Sequence, residues 1–216
     1  MPTPIRIDIV SDVMCPWCAI GLASLNKALA ALEGKVAVDI HWQPFELNPN
    51  IPAEGEDMLE HLMGKYGITA EQSKENRRNI TERGAALGFT FDFVEGMRMR
   101  NTFNAHQLLH WAEGSGKQSE LKQALFVAHF QKHLDINTVA ELVKIAAEVG
   151  LDSSEAEAVL TDQRFANQVR AAEQHWQEMG IHSVPAMILN EKYLISGGQP
   201  PETYIQALTE LVKQEG

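Results

Sequence analysis

The stretch Ile5-Arg6-Ile7-Asp8-Ile9-Val10-Ser11-Asp12-Val13-Met14-Cys15-Pro16-Trp17-Cys18 decides how this chain is read. Ile5–Val10 is a short apolar run with β-branched residues, the pattern of a buried strand. From about Pro16 to Leu32 the residues read as a helix that stops near Gly34. The only two cysteines of the chain, Cys15 and Cys18, therefore sit where a strand feeds the first turn of a helix. A helix start carries partial positive charge and unpaired N–H groups, which favour a thiolate over a thiol. Pro16 suits that turn, because its missing N–H has no intrahelical partner there. Cys-x-x-Cys in this setting is an arrangement for thiol–disulfide exchange. As a staple it would do little, since closing so short a loop removes little unfolded-state entropy.

Working outward, Val36-Ala37-Val38-Asp39-Ile40-His41-Trp42 alternates apolar and polar and predicts a second strand. Strand, helix and strand with short connections form a βαβ unit with parallel strands. Pro44, Pro49 and Pro52 then punctuate a loop, and helical patterns take over. They run over Asp57–Tyr66, from the capping-box sequence Thr69-Ala70-Glu71-Gln72 to Gly88, and over Asn101–Glu113, Ser119–His133 and Asn137–Val149. Another cap at Asp152-Ser153-Ser154-Glu155 and a helix from Gln163 to Met179 follow. After Gly180, Pro185–Asn190 and Tyr193–Ser196 read as a hairpin turning at Glu191-Lys192, and a helix closes the chain after Pro200-Pro201.

The order βαβ, helical block, ββα is that of an α/β, thioredoxin-like fold split by a large α-helical insertion. The expected division is a discontinuous thioredoxin-like domain, 1–50 and 165–216, around a helical subdomain, 51–164. The segment between the halves is too long for a simple crossover connection.

Composition narrows the function classes. A chain of 216 residues buries a sizeable core. The net charge of −11 argues against a nucleic-acid footprint and against anionic membranes. No apolar run is long enough for a transmembrane helix. Met1–Arg6 has none of the features of a secretory signal, so a cytoplasmic location is expected. Thiols are kept reduced there, and an isolated pair is more often catalytic or metal-binding than structural.

With Cys15-Pro16-Trp17-Cys18, an isolated Val184-Pro185 before the third strand, and a helical insertion, the chain resembles the DsbA-like thioredoxin family. More narrowly it resembles the FrnE-type branch of dithiol oxidoreductases, through Asn101-Thr102-Phe103-Asn104-Ala105-His106 and Ile195-Ser196-Gly197-Gly198-Gln199 as well. The resemblance implies that Cys15 is the exposed attacking cysteine, Cys18 the buried resolving one, and Pro185 a cis-proline facing both. Two positions depart from the family pattern. Where many relatives carry a buried acid six residues before the first cysteine, this chain has Ile9, and Asp8 should point to the opposite face of the strand. The third motif residue is Trp17 rather than the histidine of DsbA, so the depressed thiol pKa tied to that histidine does not carry over.

The remaining candidates have two readings each. Trp17 either packs on substrate or covers the helix end. The backbone of Val184, turned toward the dithiol by a cis bond, would hydrogen-bond an extended substrate segment. Asn101 reads first as a helix cap, and His106 as a proton-transfer group or an ordinary helix residue. His106/His110 and His129/His133 are i, i+4 pairs that would complete a zinc site with the cysteines, but neither has a metalloprotein spacing, and no metal is expected. Met58, Met63, Met97, Met99 and Met179 are either an adaptable apolar surface or core filler.

The expected function is disulfide exchange through a mixed disulfide, with disulfide- or dithiol-containing proteins or small molecules as substrates. No bound cofactor is expected, and glutathione is the expected small redox partner. The alternatives are a glutathione-dependent transferase or isomerase of the kappa-class type, whose members usually keep a serine at the position of Cys15, and a redox-switched peptide-binding module. Potentials in this superfamily span about −270 to about −120 mV, and Pro16-Trp17 does not place the pair on that scale.

Overall fold

The computed structural model describes residues 4–215. The chain opens with β1 (Ile5–Ser11), α1 (Pro16–Ala31) and β2 (Val38–Pro44). A mostly helical segment follows: β3 (Glu56–Asp57), α2 (Met58–Tyr66), α3 (Ala70–Leu87), β4 (Arg98–Met99), α4 (Phe103–Glu113), α5 (Gln118–Phe130), α6 (Val139–Glu148), α7 (Ser153–Asp162) and α8 (Ala166–Glu178). The chain ends with β5 (Ala186–Leu189), β6 (Tyr193–Ser196) and α9 (Pro201–Glu215).

The main sheet has the order β2-β1-β5-β6. β1 runs parallel to β2 and antiparallel to β5, and β5 pairs antiparallel with β6. Every β1 residue except Arg6 is buried, because helices cover both faces of a central strand. The β1–β5 register sets Val10 opposite Ala186. The end of β1, which delivers Cys15, therefore lies beside the start of β5, which follows Pro185. Strand pairing alone thus brings two stretches far apart in sequence to one end of the sheet.

Helix α1 packs against α3 on one flank and α9 on another. Cys18, Ala19, Ile20, Gly21, Leu22, Ser24, Leu25 and Ala28 are all buried, so no polar stripe interrupts the first turns. Gly21 lies at a close approach: a Cβ there would lie 3.3 Å from both Pro185 Cγ and Met187 Cε, so a larger residue would push on the Pro185 corner.

The helical segment starts and stops as its local chemistry directs. Thr69 and Gln72 form a reciprocal capping box, and Asp57, Thr138 and Asp152 cap their helices through side-chain oxygens. Some boundaries differ from the sequence expectation. The helix expected from Ser119 to His133 ends at Phe130, and His133 adopts a left-handed φ of 54°. The helix expected from Gln163 begins at Ala166, because Gln163 instead ends α7 in a left-handed conformation. The short β3–β4 pairing was not anticipated, since two-residue strands carry no periodicity.

Candidate active site

Cys15 occupies the N-cap of α1 in extended conformation, and its carbonyl accepts from the Cys18 N–H at 3.1 Å. The Cys15 thiol donates to the Val184 carbonyl at 3.7 Å. The Val184–Pro185 peptide is cis, as the resemblance implied. The Gly197 N–H donates to the Pro185 carbonyl at 2.8 Å, which ties the end of β6 to this corner. Gly198 lies so close to Trp17 that a Cβ would be 3.0 Å from the Trp17 carbonyl oxygen. Three separate segments, 15–18, 184–185 and 197–198, thus converge at one helix start.

One implication of the resemblance is corrected. Cys15 is 4 % exposed and Cys18 2 %, so the expected contrast between an exposed and a buried cysteine is absent. The Val184 carbonyl, at 3.7 Å, is one of the groups packed against the Cys15 sulfur. Trp17 is half-buried, with the Arg83 guanidinium of α3 stacked 5.2 Å from its ring.

The two thiols are free and titrate as one unit. Burial opposes ionisation of Cys18, but the hydrogen bond from Cys15, the Ser11 hydroxyl and the Lys122 charge outweigh it, so its pKa falls below the ordinary thiol value. The Cys15 pKa rises well above that value, through its interaction with the neighbouring Cys18 and its burial. Of the two, Cys18 is therefore favoured for the first ionisation, and a second on Cys15 is opposed. The Ser11 hydroxyl makes no oriented hydrogen bond, yet it lies close enough to Cys18 to favour a thiolate.

Beneath the pair lies a buried polar group of residues. Asp12 is 1 % exposed and His106 2 %, with His106 Nε2 3.6 Å from Asp12 Oδ1. The same imidazole nitrogen lies 3.1 Å from the Phe45 carbonyl, and the Leu47 N–H donates to Asp12 Oδ2 at 2.7 Å. Burial alone would raise the Asp12 pKa, but His106, the Leu47 N–H and Lys122 together hold it below the ordinary carboxylate value. Ile9 is a core residue, and the buried carboxylate in this part of the fold is Asp12, on the loop between strand and helix. Asp8 does face away: it is gripped by Arg6 at 2.7 and 2.8 Å and by Gln43 at 2.7 Å.

The other sequence candidates fall elsewhere. The Asn101 side-chain oxygen accepts from the Phe103 N–H at 2.9 Å and its amide donates to the Pro49 carbonyl, but the N-cap of α4 is Thr102, so Asn101 sits in the turn just before the helix rather than at its cap. His110 packs edge-on against Phe165, and His133 pairs with Asp92 at 2.9 Å. His129 and His133 do not form a helical pair, because the helix ends between them. Burial pushes the His129 pKa down to about 3. Among the described residues no three His, Cys, Asp or Glu side chains converge as a metal site. Met58, Met97 and Met99 are core residues while Met63 and Met179 are exposed on different elements, so the methionines make no common surface.

Lys122 and Ser11 were not singled out from the sequence. A signal for Lys122 exists: it shares an i, i+3, i+4, i+7 face with Leu125, Phe126 and His129, a cation on an otherwise buried stripe.

This geometry has relatives. Residues 6–209 match the DSBA-like thioredoxin domain family. The chain belongs to that family. It is similar to a Streptomyces coelicolor protein described as a probable DsbA oxidoreductase: 34 % identity, 98 % of this chain and 91 % of that one, TM-score 0.90. It is 26 % identical over 212 residues to the uncharacterized Bacillus subtilis (strain 168) protein YwbO, covering 98 % of this chain and 99 % of that one. It also shares its fold with a 2-hydroxychromene-2-carboxylate isomerase, at 14 % identity, 97 % of each chain and TM-score 0.71. A DsbA-like fold by itself therefore does not choose the chemistry; the cysteine pair does.

Proposed function

We propose that this DsbA-like chain is a dithiol–disulfide oxidoreductase of the FrnE type, working in the reducing cytoplasm on protein or small-molecule disulfides. The observation that carries the reading is the pair of free thiols at the start of α1, under the Val184 carbonyl beside Pro185. In the reductive direction the Cys15 thiolate attacks a substrate disulfide. One substrate sulfur leaves as a thiolate and takes a proton, and a Cys15–substrate mixed disulfide forms. Cys18 then attacks the Cys15 sulfur, the second substrate thiol leaves, and Cys15–Cys18 becomes the disulfide. Two electrons pass from the pair to the substrate, and glutathione thiols return them. Oxidation of a substrate dithiol runs the same steps backwards.

Cys18 holds the easier ionisation in the resting pair, so the proton must move from Cys15 to Cys18 before attack. The Cys18 N–H, which also favours a thiolate on Cys15, stabilises the state that results. A transferase or isomerase using glutathione needs one hydroxyl or thiol at this place, and nothing in such a reaction calls for Cys18. The test is Cys15→Ser with insulin as disulfide substrate and glutathione as electron donor. Turnover should fall to background; a variant as fast as the wild type ends this reading.

A further inference from the structure

Lys122 is fully buried, yet among the described residues it forms no ion pair with a carboxylate. Its single hydrogen bond, to the Ser11 carbonyl, is long at 3.4 Å. Otherwise it faces two rings, Trp42 at 5.2 Å and Phe126 at 5.3 Å. An ammonium offers three donors, and burying it without a partner charge is costly. Asp12, the nearest fixed anion, is already engaged by His106 and the Leu47 N–H. What remains beside Lys122 is the dithiol: Ser11, whose carbonyl holds the ammonium, has its hydroxyl against Cys18.

We propose that Lys122, carried in by the inserted helix α5, is the counter-ion of the thiolate in the reduced Cys15–Cys18 pair and thereby sets the redox poise of the pair. This rests on the reading of the pair as a disulfide exchanger. Lys122 acts as a positioning residue through electrostatics and touches no substrate. The balance with glutathione shows the direction. The protein disulfide and two glutathione thiols give one protein thiol, one protein thiolate, glutathione disulfide and a proton. Only the reduced side of that exchange carries the negative charge, so Lys122 favours the reduced pair and makes the disulfide a stronger oxidant.

The charged and titratable groups that act on Lys122 are Asp12 from the loop after β1 and Cys15 and Cys18 from the start of α1, while His106 and His110 of α4 line the same small cavity. Asp12 opposes a thiolate on the pair, so it and Lys122 pull in opposite directions. Burial lowers the Lys122 pKa to about 8, against the pull of Cys18 and Asp12, which is the same pairing seen from the lysine. A cavity of about 10 Å³ bordered by Trp42, His106 and Lys122 has about the room of one water and joins ammonium to imidazole.

The experiment uses the full chain, wild type and Lys122→Met, whose side chain keeps the apolar stem without the charge. Thiolate absorbance is followed against pH, and the pair is equilibrated with glutathione buffers. In the variant the first thiol ionisation should move up, and the equilibrium should shift at least about tenfold toward the disulfide, about 30 mV more reducing. Lys122→Arg should stay nearer the wild type. A titration and an equilibrium within twofold of wild type in Lys122→Met overturn the inference. Should that variant not fold, NMR titration of the Lys122 ammonium in the wild type decides the matter, since linkage requires its pKa to fall when the pair is oxidised. Equal values in the two redox forms overturn the inference. A wild-type pair that never equilibrates with glutathione overturns the exchange reading and this inference together; a wild type that equilibrates alongside a matching variant overturns the role of Lys122 alone.

Discussion

The elements at the two ends of the chain and the helices between β2 and β5 contribute different things to one site. β1, α1 and β5 hold the sulfurs and the Val184–Pro185 corner in place through strand pairing and through contacts as close as Gly21 on Pro185. The inserted helices supply the titratable groups behind them, His106 from α4 and Lys122 from α5. Asp8 and Asp12 make the contrast sharper. Both are 1 % exposed, but Asp8 is locked to Arg6 and Gln43 within the sheet, whereas Asp12 meets His106 from the insertion. Equal burial therefore leaves two carboxylates with different neighbours, one tied within the sheet and one facing the insertion. The insertion thus places a buried imidazole and a buried ammonium on the same side of the site as Asp12 and Ser11.

The largest effect should come from the scaffold side. Cys18→Ser leaves the attacking sulfur but removes its resolving partner, so turnover should drop to background while a mixed disulfide with substrate accumulates and is visible by mass. Free turnover without a trapped adduct would show that Cys15 works alone. Next is the junction between the two regions. Asp12→Asn should cost about 1–3 kcal/mol of stability at pH 7, the scale of a buried charge-assisted hydrogen bond. The Asp12 pKa is lowered in the fold, so its contribution is present above the unfolded carboxylate value and is lost as pH falls through the folded one. The gap between wild type and variant in denaturant melts should therefore close below about pH 4. The same variant should ease the first thiol ionisation, opposite in sign to Lys122→Met.

A smaller effect is expected at Glu46, on the loop between the two residues that hold Asp12 and His106. Arg170 bridges Glu46 at 2.7 Å and Glu173 at 2.9 Å, and each carboxylate keeps one buried oxygen without a partner. Burial and the Glu173 charge outweigh Arg170 and push the Glu46 pKa up to about 7. A raised acid destabilises the fold as it ionises, so the penalty is absent below the unfolded value and grows as pH rises toward 7. Glu46→Gln should gain about 1–2 kcal/mol over wild type at pH 8 and little at pH 4, after discounting for the half-exposed Arg170. A gain that does not vary with pH would assign the effect to packing. The smallest change tests the insertion alone. Thr69→Ala breaks the capping box of α3 and should cost about 1 kcal/mol in thermal melts, with disulfide exchange unchanged. Altered exchange would mean that the far end of α3 communicates with the dithiol.

Much of the fold was legible because its signals are local. The apolar run before Cys15, the alternation through Trp42 and the polar caps of the inserted helices are short-range patterns, and each became the expected element. Helix ends were less legible where no glycine closed them: the left-handed Gln163 ends α7, and α5 stops at Phe130 with Gln131 as its cap. The cysteine pair and Pro185 were legible for the same reason as the strands: residue type and position carry the chemistry. The role of Asp12 was not, because its meaning depends on a histidine that a distant helix brings within 3.6 Å. Lys122 announced itself only as a cation on an apolar stripe, which says that a lysine is buried and not what it faces.

By itself the sequence determined that a strand hands two thiols to a helix start, that the chain returns through a proline-led hairpin, and that helices intervene. Those follow from periodicity, caps and backbone restrictions, which act over a few residues. Only the tertiary structure decided which charges surround the sulfurs and how deeply both are covered. Coulomb interactions and desolvation depend on distance in space, and β1, α4 and α5 come together there only when the insertion packs behind the sheet.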